Sequence, residues 1–199
     1  MQIVIGHEFS GTVAEIGSMF PHSLDLQIED KVAIQVTVFC KKFGPCKQGL
    51  FNCCLSVGFI GLNGGGGGLS YFVCLDPGFV SKLPKDLSLE VGALVGPLAI
   101  AWHAVDQLRF GQCPEDTAEV LVVGAGPIGL GVIQSLVARG INVVIFAEVA
   151  EERQKLAVHF GAAHIIDPSK TDLVKKSKER SVWAKALILL WIVPVCLQA

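Results

Sequence analysis

Four of the seven cysteines crowd into one short stretch of the sequence, at positions 40, 46, 53 and 54. Closely spaced thiolates suit a closed structural zinc site, which requires four ligands in tetrahedral geometry. Two adjacent cysteines seldom both reach one metal ion, so the segment offers three usable thiolates. From the residues alone, a zinc-binding loop and a set of free buried thiols fit this segment equally well.

A second group of metal-binding side chains lies near the start of the chain, where His7 is followed directly by Glu8. If the backbone turns there, the imidazole and the carboxylate can both reach one zinc ion. A dipeptide supplies only two ligands and does not define a site by itself.

The segment EVLVVGAGPIGLGVIQSLVARGINVVIFAE, residues 119–148, has the order strand, glycine turn, helix and strand. Gly124, Gly126 and Gly129 occupy the three glycine positions of a dinucleotide-binding turn. They allow the tight turn, the approach of a pyrophosphate to the backbone, and close packing of helix on strand. The apolar run Val120–Val123 predicts a buried parallel strand before the turn.

The helix after the turn is predicted over Ile128–Arg139, with Pro127 in its first turn and Gly140 placed to end it. The first free amides of this helix and its positive dipole end would face the phosphates of a bound dinucleotide. Pro127 and Ile128 therefore join the glycines as candidate cofactor-binding residues.

An acidic residue follows the second predicted strand, Asn142–Phe146. Glu148 lies about 20 residues beyond the turn, where a carboxylate can bind both ribose hydroxyls of an adenosine and repel a 2′-phosphate. The segment therefore predicts a site for NAD rather than NADP. The alternative is a glycine-rich strand–helix turn that binds no ligand.

The rest of the chain predicts a β-rich lobe before this α/β segment, because short apolar runs alternate with turn signals. The predicted strands are Ile3–Ile5, Gly11–Ile16, Lys31–Val38 and Leu69–Leu75. The run Asn63–Gly68 is interpreted as a plain connector. A helix over Ser88–Gln107 joins the two lobes, with Ser88 as N-cap and His103 as a core residue.

The overall composition argues against a nucleic-acid or membrane-surface partner. The 199 residues have a formal net charge of −2, which provides no basic surface. The first residues have neither the basic flank nor the long apolar run of a secretory signal. The seven cysteines are odd in number and four of them are clustered, which favours thiolate metal chemistry in a reducing compartment over a disulfide framework. A cytoplasmic location is therefore predicted.

The last segment, residues 181–199, is more apolar than the rest of the chain. Its longest unbroken apolar run, Ala186–Val193, is far shorter than the ~20 residues of a spanning helix. Pro194 also disfavours an extended helix. The segment is interpreted as out-of-frame or alternatively spliced sequence, with a buried strand as the alternative, rather than as a membrane anchor.

Five motifs occur in the order and spacing of the zinc-dependent medium-chain dehydrogenases of the alcohol dehydrogenase superfamily. They are GHEFSG, CKKFGPCKQGLFNCC, GFIGLNGGGGGLS, SLEVGALVGPLAIAWHAV and the glycine turn. Residues 1–170 most closely resemble the butanediol and sorbitol dehydrogenase branch. The resemblance implies an α/β fold, with an incomplete GroES-like β lobe (1–87), a partial Rossmann lobe with a doubly wound parallel sheet (88–180), and an atypical apolar tail (181–199).

The resemblance also implies an activity, the reversible oxidation of a secondary alcohol, vicinal diol or polyol to a ketone. NAD and zinc are the implied cofactors, with zinc polarising the substrate oxygen while hydride passes to NAD. The matched metal ligands are His7 and Glu8 for the catalytic zinc, and Cys40, Cys46 and Cys54 for the structural zinc. The glycine turn and Glu148 match the cofactor site.

Several positions depart from the family pattern. A catalytic cysteine expected upstream of His7 has no counterpart, Gly96 replaces a glutamate close to the catalytic metal, and Phe43 stands in place of the second loop cysteine. We therefore expect two incomplete zinc sites, a chain truncated at both ends, impaired activity, and loss of the family's homo-oligomer. The alternatives are a non-catalytic remnant that binds the adenosine half of NAD, and a small thiolate–zinc interaction module.

Overall fold

The computed structural model describes residues 4–18, 21, 25–63, 65–108, 119–141, 143–173, 175–176 and 187–191. The chain divides into two compact units, residues 1–96 and 97–199. The finer domain bounds from the sequence, at residues 87 and 180, remain a proposal.

The first unit is built from two small antiparallel sheets. Its elements are β1 Ser10–Thr12, β2 Lys31–Ile34, β3 Thr37–Val38, α1 Gly44–Lys47, β4 Gly58–Phe59, β5 Val80–Lys82 and α2 Leu89–Ala93. One sheet has the order β1–β2–β5, and the other pairs β3 with β4. Val32 and Ala33 of the central strand β2 are buried, which explains why the apolar run in this segment was detectable from the sequence.

The predicted strand Lys31–Val38 proves to be two strands in different sheets. Between them, the Gln35 amide donates to the Phe79 carbonyl at 2.8 Å, and the Val36 carbonyl accepts from the Ile60 amide at 2.9 Å. The backbone thus changes partners between β2 and β3. The predicted strand Gly11–Ile16 is also shorter than expected, since β1 ends at Thr12.

The predicted strands at both ends of the first lobe are wrong. Within the described residues, positions 4–5 and 69–75 have no strand structure, and Tyr71 and Phe72 are largely exposed. Three backbone hydrogen bonds instead join residues 67–69 to residues 4–6. The amides of residues 67, 68 and 69 donate to the carbonyls of residues 4, 6 and 5 at 2.8, 2.9 and 3.1 Å. An alternating apolar pattern indicates which side chains could be buried, but a ladder also needs a partner strand.

The second unit carries a four-stranded parallel sheet. Its elements are β6 Glu119–Val123, α4 Pro127–Ala138, β7 Val143–Ala147, α5 Glu151–His159, β8 His164–Ile166 and β9 Leu187–Trp191. The strand order is β8–β7–β6–β9, and all three pairings are parallel. Helices α4 and α5 make the crossovers from β6 to β7 and from β7 to β8, as parallel neighbouring strands require. The predicted α/β fold class is confirmed.

The core of the second unit covers both faces of strand β6. Val120 and Val122 pack with Val132 and Leu136 of α4, whereas Leu121 packs on the opposite face with residues of β7 and β8. A strand buried on both faces has an unbroken apolar sequence. The strand and helix predicted on either side of the glycine turn are therefore both present.

The predicted helix over residues 88–107 is interrupted. Helix α2 ends at Ala93, with Leu94 as its C-cap, and α3 spans Val95–Asp106. The break is explained by Pro97, because a helix tolerates the missing amide of proline in its first turn and not in its interior. Ser88 is the N-cap of α2 as predicted, and its hydroxyl accepts from the Val91 amide at 3.3 Å.

His103 on α3 is exposed, so its prediction as a core residue is wrong. Ala101 and Val105 are the fully buried residues of this part of α3. His103 lies between them in sequence and points to another side of the helix, since adjacent helical positions differ by about 100°.

Part of the apolar tail forms a strand. β9 pairs with β6 in parallel, with Leu187 opposite Glu119 and Trp191 opposite Val123. The strand interpretation is correct for these five residues, and the other tail residues lie outside the described ranges. In the described part of the chain, no helix has the length and apolar character to cross a bilayer.

Candidate dinucleotide turn and thiol cluster

The glycine turn connects the end of β6 to the start of α4. Gly124 has a φ of 97°, in the left-handed region that favours glycine, and its amide donates to the Ala147 carbonyl at 2.9 Å. A Cβ atom at Gly129 would collide with the Gly124 carbonyl oxygen. These two glycines are therefore required by the turn itself.

Gly126 is not required for the same reason. It is the N-cap of α4, with φ −70° and ψ 179°, and among the described residues only its chain neighbours come within 4 Å of where its Cβ would project. Pro127 takes the first helical position, and the amides of Ile128 and Gly129 lack a carbonyl partner within the helix. The open side of Gly126 thus leaves the backbone accessible to an anionic group at the positive end of the helix dipole.

Glu148, immediately after β7, binds the glycine turn. Its Oε2 accepts from the Ala125 amide at 2.8 Å, and its Oε1 accepts from the amides of Val149 and Ala150 at 2.9 Å each. The side chain is buried, with 7% of the residue exposed. The sequence predicts a ribose-binding carboxylate here but gives no sign of this bond to a residue 23 positions earlier.

Glu148 remains ionised in this setting. Burial raises the pKa of its carboxyl, but the backbone amides of Ala150, Ala125 and Val149, together with the Arg153 guanidinium, lower the pKa by more. The net result is a pKa below the ordinary value of 4.5. The Arg153 Nη1 atom lies 3.9 Å from Oε2 and is largely exposed.

The three thiols Cys40, Cys46 and Cys54 form a cluster in the first unit, called the thiol cluster below. The Sγ atoms of Cys40 and Cys54 are 3.6 Å apart, those of Cys40 and Cys46 are 4.0 Å apart, and all three lie within 4.8 Å of one another. Cys46 and Cys54 are buried, while Cys40 is half-buried. Cys53 is exposed and outside the cluster, so the fold chooses between the adjacent cysteines.

Backbone amides polarise the thiol cluster. Hydrogen bonding from the Lys42 amide, supported by the Phe43 amide and the two neighbouring thiols, outweighs burial and lowers the pKa of Cys40 to about 7. Burial, together with its two thiol neighbours, raises the pKa of Cys46. Cys40 therefore becomes a thiolate, the form that binds metals, more readily than Cys46 does.

The donor set of the thiol cluster fits zinc in chemistry and falls one ligand short in number. Phe43, which stands in place of a cysteine, is the N-cap of α1 and is 37% exposed. In the ranges that the structure describes, no fourth His, Cys, Asp or Glu joins the group. A closed structural site would need four protein ligands.

His7 and Glu8 lie in a loop before β1, and both are exposed. Among the described residues, they belong to no group of three or more side chains spaced for a metal. Two ligands do not fit a catalytic zinc, which takes three from the protein. The residues present therefore do not make a complete catalytic zinc site.

The glycine-rich run after β4 holds this loop, and its interpretation as a plain connector is wrong. A Cβ atom at Gly67 would lie 2.6 Å from the Ile5 carbonyl oxygen and closer still to that of Gly6. A Cβ at Gly61 would also collide with Gly6. Because only glycine permits this approach, these positions fix the backbone next to His7, and the sole sequence signal was the number of glycines.

The second unit has a parallel α/β sheet with a glycine turn, and the first unit is β-rich and contains the thiol cluster. This combination is the two-unit architecture that the sequence resemblance implies. Comparison with known proteins agrees. The family model for the alcohol dehydrogenase GroES-like domain matches residues 1–85. The (R,R)-butanediol dehydrogenase of Bacillus subtilis is 40% identical over 182 residues, which cover 90% of this chain and 49% of that protein.

Solved structures show the same relationship. A zinc-binding dehydrogenase from Sinorhizobium meliloti bound to NADP has a TM-score of 0.79 and 28% identity, covering 87% of this chain and 48% of that one. An alcohol dehydrogenase from Escherichia coli CFT073 complexed with NADH has a TM-score of 0.82 and 29% identity, covering 96% and 55%. The chain belongs to the zinc-dependent medium-chain dehydrogenase family, in the butanediol and sorbitol dehydrogenase branch. It spans about half the length of the curated relatives it matches.

Proposed function

We propose that this chain supplies two parts of an NAD-dependent alcohol or polyol dehydrogenase. They are the dinucleotide turn, residues 124–129, and the zinc–thiolate loop, residues 40–54, which contains the thiol cluster. The observation that carries the proposal is the turn between β6 and α4. There, Gly126 leaves the helix N-terminus accessible, and the ionised Glu148 lies at the end of the neighbouring strand.

The proposed reaction is the reversible oxidation of a secondary alcohol, vicinal diol or polyol to a ketone. The chemistry that bound NAD would supply is acceptance of the hydride from the alcohol carbon, with the hydroxyl proton released. In this proposal Gly124 and Gly129 shape the turn, while Gly126, Pro127 and Ile128 would hold the pyrophosphate. The butanediol substrate named for the Bacillus subtilis relative supports a small diol.

NAD is the proposed cofactor in preference to NADP. The carboxylate of Glu148 keeps its negative charge at neutral pH because its pKa is lowered. A negative charge at the end of the second strand disfavours a 2′-phosphate. The exposed Arg153 close by offsets part of that charge, so the preference over NADP is proposed to be moderate.

The thiol cluster is proposed to bind zinc. All five cysteines of the described ranges are free, and a reducing compartment such as the cytoplasm would keep them available as metal ligands. In such a site zinc stabilises the surrounding loop and takes no part in hydride transfer.

A second candidate is a non-catalytic protein that binds the adenosine half of NAD. It is favoured by the exposure of His7 and Glu8 and by the lack, in the described part of the chain, of a third side chain spaced to complete a metal site with them. Both candidates share the dinucleotide turn and differ in turnover.

Fluorescence titration with NADH tests the shared part of the two candidates. We expect the wild-type chain to bind NADH more tightly than NADPH, and Gly126→Ala to weaken NADH binding about tenfold, which corresponds to about 1.4 kcal/mol. The reason is that the added methyl group projects into the open approach without touching the protein. Gly17→Ala, another open position, lies in the first unit and serves as the matched control.

Equal binding by the wild type and Gly126→Ala would contradict the proposed site. Formation of NADH in the presence of butane-2,3-diol then separates the candidates. Turnover supports the dehydrogenase, and NADH binding without turnover supports the non-catalytic protein.

A further inference from the structure

The thiol cluster has three sulfur donors where a tetrahedral zinc site has four. We infer that zinc bound there keeps its fourth position open to an exchangeable ligand from solution, and that a small thiol is the preferred class. The inference rests on the proposed zinc–thiolate loop and concerns what completes it.

The sulfur separations are those of a metal site before the metal is bound. With a Zn–S bond of about 2.3 Å, two thiolates on one tetrahedral zinc are about 3.8 Å apart. The observed separations of 3.6 Å for Cys40–Cys54 and 4.0 Å for Cys40–Cys46 lie on either side of this value. Three ligands are thus already positioned, and zinc would require little rearrangement of them.

Neither nearby candidate supplies the fourth ligand. Cys53 is exposed and does not belong to the cluster, although it adjoins Cys54. The phenyl ring of Phe43 has no lone pair to donate. Protein zinc sites with three protein ligands hold water or another small molecule in the fourth position, so this cluster resembles an open site rather than a closed structural one.

The cluster is open to a soft ligand from solution on the side of Cys40. Cys40 is half-buried, and the adjoining Lys41, Lys42 and Phe43 are exposed, so the loop beside Cys40 is in contact with solvent. The Lys41 Nζ atom lies 3.9 Å from the Asp76 carboxylate, so the charge of Lys41 is already paired and the softness of the donor decides which ligand is preferred. Among small donors, thiolates are the soft ligands that zinc–sulfur sites select.

Cobalt substitution tests the inference on the full chain without relying on activity. Co²⁺ bound by thiolates has visible bands whose energy and intensity depend on the number of sulfur ligands. We expect the wild-type spectrum to change when 2-mercaptoethanol is added, as a fourth sulfur enters. Phe43→Cys should show the four-sulfur spectrum from the start and not respond to the added thiol.

Competition with a chromophoric chelator gives the affinities for zinc. Loss of a partner that merely supports a ligand costs about 10- to 100-fold in metal affinity, so we expect Phe43→Cys to bind zinc at least that much more tightly than the wild type. Phe43→Leu, which adds no ligand, and Cys53→Ser are the controls, and both should match the wild type.

Two results would overturn the inference in distinguishable ways. A wild-type four-sulfur spectrum that Cys53→Ser abolishes would make Cys53 the fourth ligand and leave the proposed zinc–thiolate loop intact. Absence of any thiolate–cobalt absorption in the wild type would remove the loop and the open position together.

Discussion

The carboxylate of Glu148 has one predicted role in ligand binding and one observed role in the fold. The sequence predicts it as a ligand of the adenosine ribose, and the structure shows it accepting three backbone hydrogen bonds, one of them from the Ala125 amide in the glycine turn. A side chain held in this way is preorganised, since little conformational freedom remains to be lost when a ligand binds.

We predict that Glu148→Gln lowers the free energy of unfolding by about 1–3 kcal/mol at pH 7, because the amide group cannot satisfy all three backbone donors, of which the Ala125 amide is buried. The folded-state pKa of Glu148 lies below 4.5, so its ionisation stabilises the fold above that pH. This contribution is lost as the pH falls through the folded pKa. The difference between wild type and variant in urea denaturation should therefore shrink below pH 4.5.

Glu151→Gln is the matched control, because the Glu151 carboxylate is 83% exposed and lies 3.9 Å from Lys155. Exposed pairs of this kind contribute little. If Glu148→Gln were as stable as Glu151→Gln at pH 7, the structural role of Glu148 would be refuted.

At the level of elements, the crossing of the glycine-rich segment over residues 4–6 decides where the His7 loop lies. Gly67 and Gly61 contact the backbone of Gly6 so closely that no side chain fits at either position. By contrast, Gly66 has open space around its Cβ direction and no positive φ. Neighbouring glycines in one run therefore differ in whether a side chain can replace them.

We predict that Gly67→Ala lowers the free energy of unfolding of the first unit by about 1–3 kcal/mol, the usual cost of overpacking. Gly66→Ala should stay within about 0.5 kcal/mol of the wild type, as for ordinary surface substitutions. Urea denaturation followed by circular dichroism compares the two. Equal stability of the variants would show that the crossing does not hold the loop.

At the scale of the whole molecule, the two candidate ligand sites belong to different units. The thiol cluster lies in residues 1–96 and the glycine turn in residues 97–199. The three tryptophans, at positions 102, 183 and 191, all lie in the second stretch. Tryptophan fluorescence thus follows the second unit alone, whereas calorimetry follows both.

We predict that NADH raises the melting temperature seen by tryptophan fluorescence, while zinc raises a calorimetric transition that tryptophan does not detect. A ligand at 100 times its Kd stabilises the unit that binds it by about 2.7 kcal/mol. A single transition that both ligands shift equally by both methods would contradict independent responses of the two units.

Features that depend on residues close together in the sequence were predicted correctly, and features that depend on distant residues were not. The glycine turn depends on the positive φ of Gly124 and on the close approach of Gly129 to the Gly124 carbonyl oxygen. Both residues lie within one stretch of six, so the motif can be recognised in the sequence. Leu69–Leu75 has the pattern of a strand and is none, because a strand exists only where a partner backbone lies beside it. The apolar residues next to His103 in the sequence do not indicate which side of α3 its side chain faces. That side is exposed because of how the helix packs.

The sequence by itself determined the class of fold, the family, and the candidate chemistry of glycine turn, thiolates and carboxylate, since these depend on local backbone geometry and on residue type. Only the tertiary structure decided that the Sγ atoms of the three thiols lie within 4.8 Å of one another, that Glu148 binds the Ala125 amide, and that Gly67 holds the loop before His7. Each of these contacts joins residues that are distant in the sequence. Burial and close approach select such contacts, and neither is set by the spacing of residues.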